Sequence, residues 1–163
     1  MNQSHSSQPV GDASADSTTS RPIDLPGRRA IVVGFGVVGR MTAERLRNVG
    51  VNVTLIELNS TTTQRQADLD RQVVLGDATD PKVLQQAGLN DADALILTLP
   101  DADDTLRACR VARQLNPDIF IAVRVNFVSQ AMLATQAGAD QTIIEEVVTA
   151  QAMQQAVVNQ LTQ

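Results

Sequence analysis

Tryptophan and tyrosine are absent from this 163-residue chain, and Phe35, Phe120 and Phe127 are its only aromatic residues. The core must therefore be aliphatic, yet a chain of this length buries roughly two-thirds of its unfolded surface and folds without staples. The single cysteine, Cys109, excludes an intramolecular disulfide, and no apolar segment of signal-peptide type follows the start. His5 is the only histidine and Lys82 the only lysine, so no His/Cys ligand cluster stands in the sequence. Lys and Arg number 13 against 18 Asp and Glu, a formal charge of −5, with no basic run. That balance removes the electrostatic footprint of a nucleic-acid or anionic-membrane binder. The longest apolar stretch, Ala30 to Val38, is broken by Gly34 and Gly36 and is about half of what a bilayer span needs. A cytoplasmic location is the expectation.

What is present falls into two textures. Residues 1–27 are rich in Ser, Thr, Gln and Asp and are expected to form a disordered leader or linker, because they carry too little apolar surface to offset the entropy of ordering. From Arg29 onward, β-branched runs alternate with helical patterns. The runs are Ala30 to Val33, Val51 to Ile56, Val73 to Leu75, Ala94 to Thr98, Phe120 to Val125 and Thr142 to Ile144. Their near-continuous apolar character suits strands covered on both faces, which predicts a Rossmann-like α/β fold with a doubly wound, parallel six-stranded sheet. In the first helix Gly39, Ala43 and Leu46 share one face, flanked by Val38, Thr42 and Val49, while Arg40, Glu44 and Arg47 share the other. Gly50 ends it. Asp80-Pro81 opens a later helix, Gly88 closes that one, and Asn116-Pro117 stops the helix around Leu106 to Leu115.

The chemistry concentrates in Gly34-Phe35-Gly36-Val37-Val38-Gly39, set between a predicted strand and a predicted helix. Gly34 permits a tight turn, Gly36 clears the approach of a pyrophosphate to backbone, and Gly39 lets helix and strand pack closely. The helix N-terminus offers free N–H groups and a positive dipole end to an anion. Glu57 closes the second strand, 18 residues after Gly39, where a carboxylate accepts hydrogen bonds from a ribose diol. It would repel a 2′-phosphate, and the next basic residue is Arg65. The expected ligand is therefore NAD(H) or an adenine nucleotide (AMP, ADP or ATP), not NADP(H). Loops at Gly76 to Thr79 and Thr98 to Asp101 border the same crevice, with Asp103 and Asp104 read as first-turn acids of a helix.

The order GFGVVG, LIELN, VVLGDATDPKVLQQAGL, ALILTLPDADDTLR, LNPDIFIAVRVN and AGAD, over Arg29 to about Val158, resembles the TrkA-N or RCK N-terminal domain. These are cytosolic nucleotide-binding regulators attached to potassium channels, potassium transporters and Kef-type cation:proton antiporters, and the last group is the most similar. The resemblance implies that Gly34, Gly36 and Gly39 face the phosphates, Glu57 the ribose, Asp77 and Ala78 the adenine, and Thr98 the sugar-phosphate side. Arg124 matches the strand-end arginine of the family, where it either reaches a phosphate or bridges to a carboxylate. Val37 and Val38 stand where many nucleotide-gated members carry a basic or polar residue.

Two functions follow as alternatives. One is a regulatory domain, residues 28–146, that controls a potassium transporter or antiporter carried on another subunit or on a fused transmembrane segment, and lies at the inner membrane through it. The other is a minimal NAD-dependent oxidoreductase or a free-standing NAD(H) redox sensor. The first is favoured, because a dehydrogenase needs an acid or base beside the nicotinamide and a substrate domain. Cys109 shares an apolar helix face with Ala108, Ala112 and Leu115 and reads as a buried thiol. Residues 147–163 contain no charged side chain. Val147, Ala150, Met153, Val157, Val158 and Leu161 share one face there, which predicts a crossover helix that makes a homodimer, or a higher RCK-type assembly.

Overall fold

The six β-branched runs become β1 (Arg29–Val33), β2 (Asn52–Glu57), β3 (Val73–Leu75), β4 (Ala94–Leu97), β5 (Phe120–Val125) and β6 (Gln141–Ile144). The computed structural model describes residues 25–162. All strands are parallel, in the order β3-β2-β1-β4-β5-β6. Between them run α1 (Val37–Asn48), α2 (Ser60–Ala67), α3 (Pro81–Gln86), α4 (Ala102–Leu115) and α5 (Val128–Gln136), and α6 (Glu145–Leu161) follows β6. The order reverses between β1 and β4, which opens a crevice at the carboxyl ends of those strands.

Alternation along the strands sorts the interior into two cores. Ile31, Val33, Leu95, Leu97, Ile121 and Val123 point to one face, where α3, α4 and α5 cover them. Ala30, Val32, Val53 and Leu55 point to the other, against Ala43 and Leu46 of α1 and the following Val49. The helical stops fall where the sequence puts them. Gly50 and Gly88 adopt positive φ just past α1 and α3, and α4 ends at Leu115 before Asn116.

Several expectations shift. Residues 1–24, with His5, lie outside the described residues, but Leu25 is tied down by its N–H donating to Val49 O at 2.7 Å. Leu25, inside the stretch read as leader, is therefore held to the folded unit. Arg47, assigned to the solvent side of α1, has both terminal guanidinium nitrogens buried without a hydrogen-bond partner, and burial lowers its pKa. Helices α2 and α5 have no counterpart in the sequence reading. In α2 the only buried side chain is a glutamine, Gln66, so no apolar stripe announces it. Helix α6 starts at Glu145 rather than 147, because Glu145 and Glu146 suit the first turn.

Candidate functional site

Three backbone hydrogen bonds lace the strand ends around the crevice. Gly34 N donates to Ile56 O at 2.9 Å, Thr98 N to Val33 O at 3.0 Å, and Gly76 N to Glu57 O at 3.0 Å. The glycine turn, the end of β2, the Gly76 loop and the end of β4 are thereby fixed beside one another. Gly34 holds φ +86°, a conformation that favours glycine. A Cβ on Gly39 would lie 2.0 Å from Gly34 O and 2.8 Å from Thr98 Oγ1, so the helix can sit this close to the turn only because that side chain is missing. At Gly36 a Cβ would meet nothing within 4 Å, and the space it would enter is open crevice. Gly36 is the N-cap of α1 and supplies no side-chain cap, so the first-turn N–H groups face that space.

Glu57 is held at both oxygens. One accepts from Phe35 N and the other from Asn59 N, each at 2.9 Å. The carboxylate thus clasps the glycine turn to the end of β2, and each oxygen keeps lone-pair capacity for a hydroxyl donor. Asn59, which the sequence reading passed over, also caps α2 by accepting from Thr62 N. Its position before Ser60 and three threonines is an ordinary N-cap signature that could have revealed it.

The remaining site residues divide. Asp77 borders the crevice, and its carboxylate accepts from Thr79 N and Thr79 Oγ1 at 2.8 Å, which holds its pKa below the usual range. The methyl of Ala78 is buried in the core, so only its backbone is left to face a ligand. Thr98 is buried and turns its hydroxyl on the glycine turn, 2.8 Å from Val33 O and 3.1 Å from Gly34 O. It shapes the turn from beneath. Val37 and Val38 are both exposed at the mouth. Of the two roles open to Arg124, the structure shows the bridge: Nη1 lies 3.2 Å from Glu145 Oε1, and Nη2 donates to Asn126 Oδ1 at 3.1 Å. With Pro100, Phe127 and Met153 it lines a cleft of about 750 Å³ at the root of α6.

Asp101 caps α4 by accepting from Asp104 N at 2.9 Å, and Asp103 and Asp104 occupy its first turn. Cys109 is fully buried and its thiol is pushed up to about 11 by desolvation. No group of His, Cys, Asp and Glu suited to a metal ion occurs among the described residues, and no helix there is long and apolar enough to cross a membrane.

Comparison with known proteins agrees with this geometry. The TrkA-N domain family matches residues 30–145. The putative cation/proton antiporter YbaL of Escherichia coli is 31% identical over 125 residues, covering 77% of this chain but 22% of YbaL. The chain thus spans about a fifth of that relative. Among solved structures, the TrkA-N domain of YbaL from Escherichia coli superposes with a TM-score of 0.76 at 29% identity, covering 82% of this chain and 98% of that one. GsuK bound to ADP superposes with a TM-score of 0.69 at 28% identity, covering 77% and 32%.

Proposed function

Because the chain belongs to the TrkA-N domain family, we propose that it is a nucleotide-binding regulatory domain that biases a membrane potassium transporter or cation:proton antiporter from the cytoplasmic side. The observation that carries this reading is the glycine turn clasped to Glu57, with an uncapped helix N-terminus and an open Gly36 beside it. Such a turn holds a diphosphate by backbone N–H groups, and the carboxylate receives a ribose diol. The ligand is NAD(H) or an adenine nucleotide. NADP(H) is disfavoured, since its 2′-phosphate would meet a carboxylate already fixed in place by Phe35 N and Asn59 N. Adenine would lie beside Asp77 and the backbone of Ala78. The ADP found with GsuK supports a nucleotide of this class at such a turn.

Regulation would run through a homodimer made by α6. No residue of α6 is buried, and Val148, Met153, Val157 and Leu161 are all exposed. A lone helix with this surface calls for a partner. A nucleotide that binds one arrangement of two domains better than another shifts their populations and so biases the transport unit. Residues 28–146 would form the nucleotide-binding unit, with the rest of α6 serving assembly.

The test is mass spectrometry of the nucleotide that copurifies, followed by thermal shifts. At about a hundred times its Kd a ligand adds ~2.7 kcal/mol, or roughly 5 to 10 °C in Tm for a domain of this size. NAD(H) or an adenine nucleotide should give that shift and NADP(H) much less. Equal shifts for NADH and NADPH would remove Glu57 from the ribose role.

A further inference from the structure

Arg47 is the one arginine that the fold draws inward without giving it a counter-charge among the described residues. Arg113 pairs with Asp140 at 2.7 Å and donates to the carbonyls of Gly138, Pro117 and Ile119. Arg124 pairs with Glu145 and donates to Asn126, and only its Nε is left over. The exposed Arg28, Arg29 and Arg107 each reach an aspartate. Arg47 stands in the last turn of α1, where a basic side chain ordinarily turns to the final carbonyls, yet neither Nη1 nor Nη2 donates to anything and both are buried. Glu44, one turn earlier at the spacing that suits an ion pair, does not take it up.

The neighbour that Arg47 does have carries the same sign. Arg71, just before β3, is fixed to the end of α2 by its N–H to Gln66 O at 3.2 Å and by Nη1 to Gln66 Oε1 at 2.7 Å. It forms no ion pair among the described residues. After burial, this like charge is the strongest influence lowering the pKa of Arg47, and Glu44 opposes it less. The acids of the same loop look elsewhere: Asp68 accepts from Gln64, and Asp68 and Asp70 are both exposed. A charge taken out of water beside a like charge is costly unless an anion joins them.

We infer that Arg47 and Arg71 together hold an oxyanion of the phosphate class, in the corner between the last turn of α1, the end of α2 and the start of β3. Two planar guanidinium forks suit an ion with several oxygens and up to two negative charges, and Arg71 has spent only one Nη on Gln66. Both stems are unbranched, so rotation of side chains alone admits the ion. The corner lies at the far end of α1 from the glycine turn, ~18 Å along the helix, and so is separate from the nucleotide crevice. The inference rests on neither the nucleotide reading nor the dimer.

The test is thermal melting of the full chain carrying Gly36→Asp, which keeps phosphate from acting through the glycine turn. Inorganic phosphate is compared with chloride at equal ionic strength, and at about ten times its Kd it should raise Tm by roughly 3 to 6 °C. On this background Arg47→Met keeps the stem and removes the uncompensated charge, so it should melt above its parent in chloride and lose the phosphate shift. Arg71→Met should lose the shift too, whereas Arg45→Met, exposed on the same turn as Arg47, should keep it, which separates binding from the general stabilisation by phosphate. Asp12, Asp16 and Asp24 lie outside the described residues and offer a second source of oxyanion, so they are changed together to Asn. A shift in the parent assigns the site to free phosphate; a shift seen only with the three Asn assigns it to the chain's own carboxylates. No shift in either, or a shift that survives Arg47→Met or Arg71→Met, overturns the inference. So does an Arg47→Met chain that melts cooperatively but below its parent in chloride, since its guanidinium was then already satisfied. If Arg47→Met gives no cooperative melt, Arg71→Met decides.

Discussion

Gly36 and Gly39 sit three residues apart in the same motif, yet their environments predict opposite failures. An alanine at Gly39 must push its Cβ into Gly34 O, so the helix or the turn has to move. Gly39→Ala should cost ~1–3 kcal/mol, read as a lower Tm of the ligand-free protein. At Gly36 an added Cβ meets no atom within 4 Å, so Gly36→Asp should melt near the parent, but its carboxylate would enter the phosphate approach and the nucleotide-induced Tm shift should vanish. Cys109 makes a third residue-scale case. Its folded pKa, about 11, lies above the unfolded value near 9, so the folded state keeps a proton that the unfolded state loses. Its contribution to stability is complete below that unfolded value and is lost as pH rises toward 11. Cys109→Ala should flatten this alkaline slope in urea melts. The native thiol should also react far more slowly with a thiol reagent at pH 8 than the unfolded one.

At the scale of elements, caps and patterns did unequal amounts of the sequence's work. Asp101 before α4 combines an N-cap with two acids in the first turn, and Asp101→Ala should lower stability by ~1 kcal/mol, seen as a Tm drop of a few degrees. Helix α1 was legible from Gly39, Ala43 and Leu46, and Gly50 and Gly88 marked stops because only a positive φ continues the chain there. Helix α2 was not legible, since its sequence STTTQRQA offers only a buried Gln66 to the sheet side. Helix α5 was missed for the opposite reason: VSQAMLATQ lacks charge and leaves Met132 and Leu133 exposed, so polarity does not separate its faces. Helix α6 was visible from residue 147 as an uncharged segment, and its exposure sharpens the consequence. Truncation after Glu146 should convert a dimer into a monomer or an aggregate in light scattering, with the nucleotide crevice left in place.

For the whole molecule, the crevice is bordered by carboxylates that already accept backbone N–H groups: Glu57 from Phe35 and Asn59, Asp77 from Thr79, and Asp101 from Asp104. Each of them is engaged in holding a turn or capping a helix. Incubation with NADH and a panel of small carbonyl compounds should therefore give no turnover above buffer. Substrate-dependent oxidation that Gly36→Asp abolishes would turn the reading toward an oxidoreductase.

The sequence alone determined the six strands, their parallel layering and the glycine turn, because each rests on local chemistry: β-branched runs, caps, and positions where a side chain cannot fit. It also placed Glu57 at the end of β2. What the tertiary structure decided are the relations between distant segments. Only the folded chain shows that Glu57 spends both oxygens on the turn and on Asn59, that Thr98 lies beneath Gly34, and that Arg124 pairs with Glu145. The half-burial of Arg47 belongs to the same class. A pattern of side chains fixes which face of an element is apolar; whether another element of the same chain reaches that face depends on where every connection ends, and no local stretch of sequence encodes that.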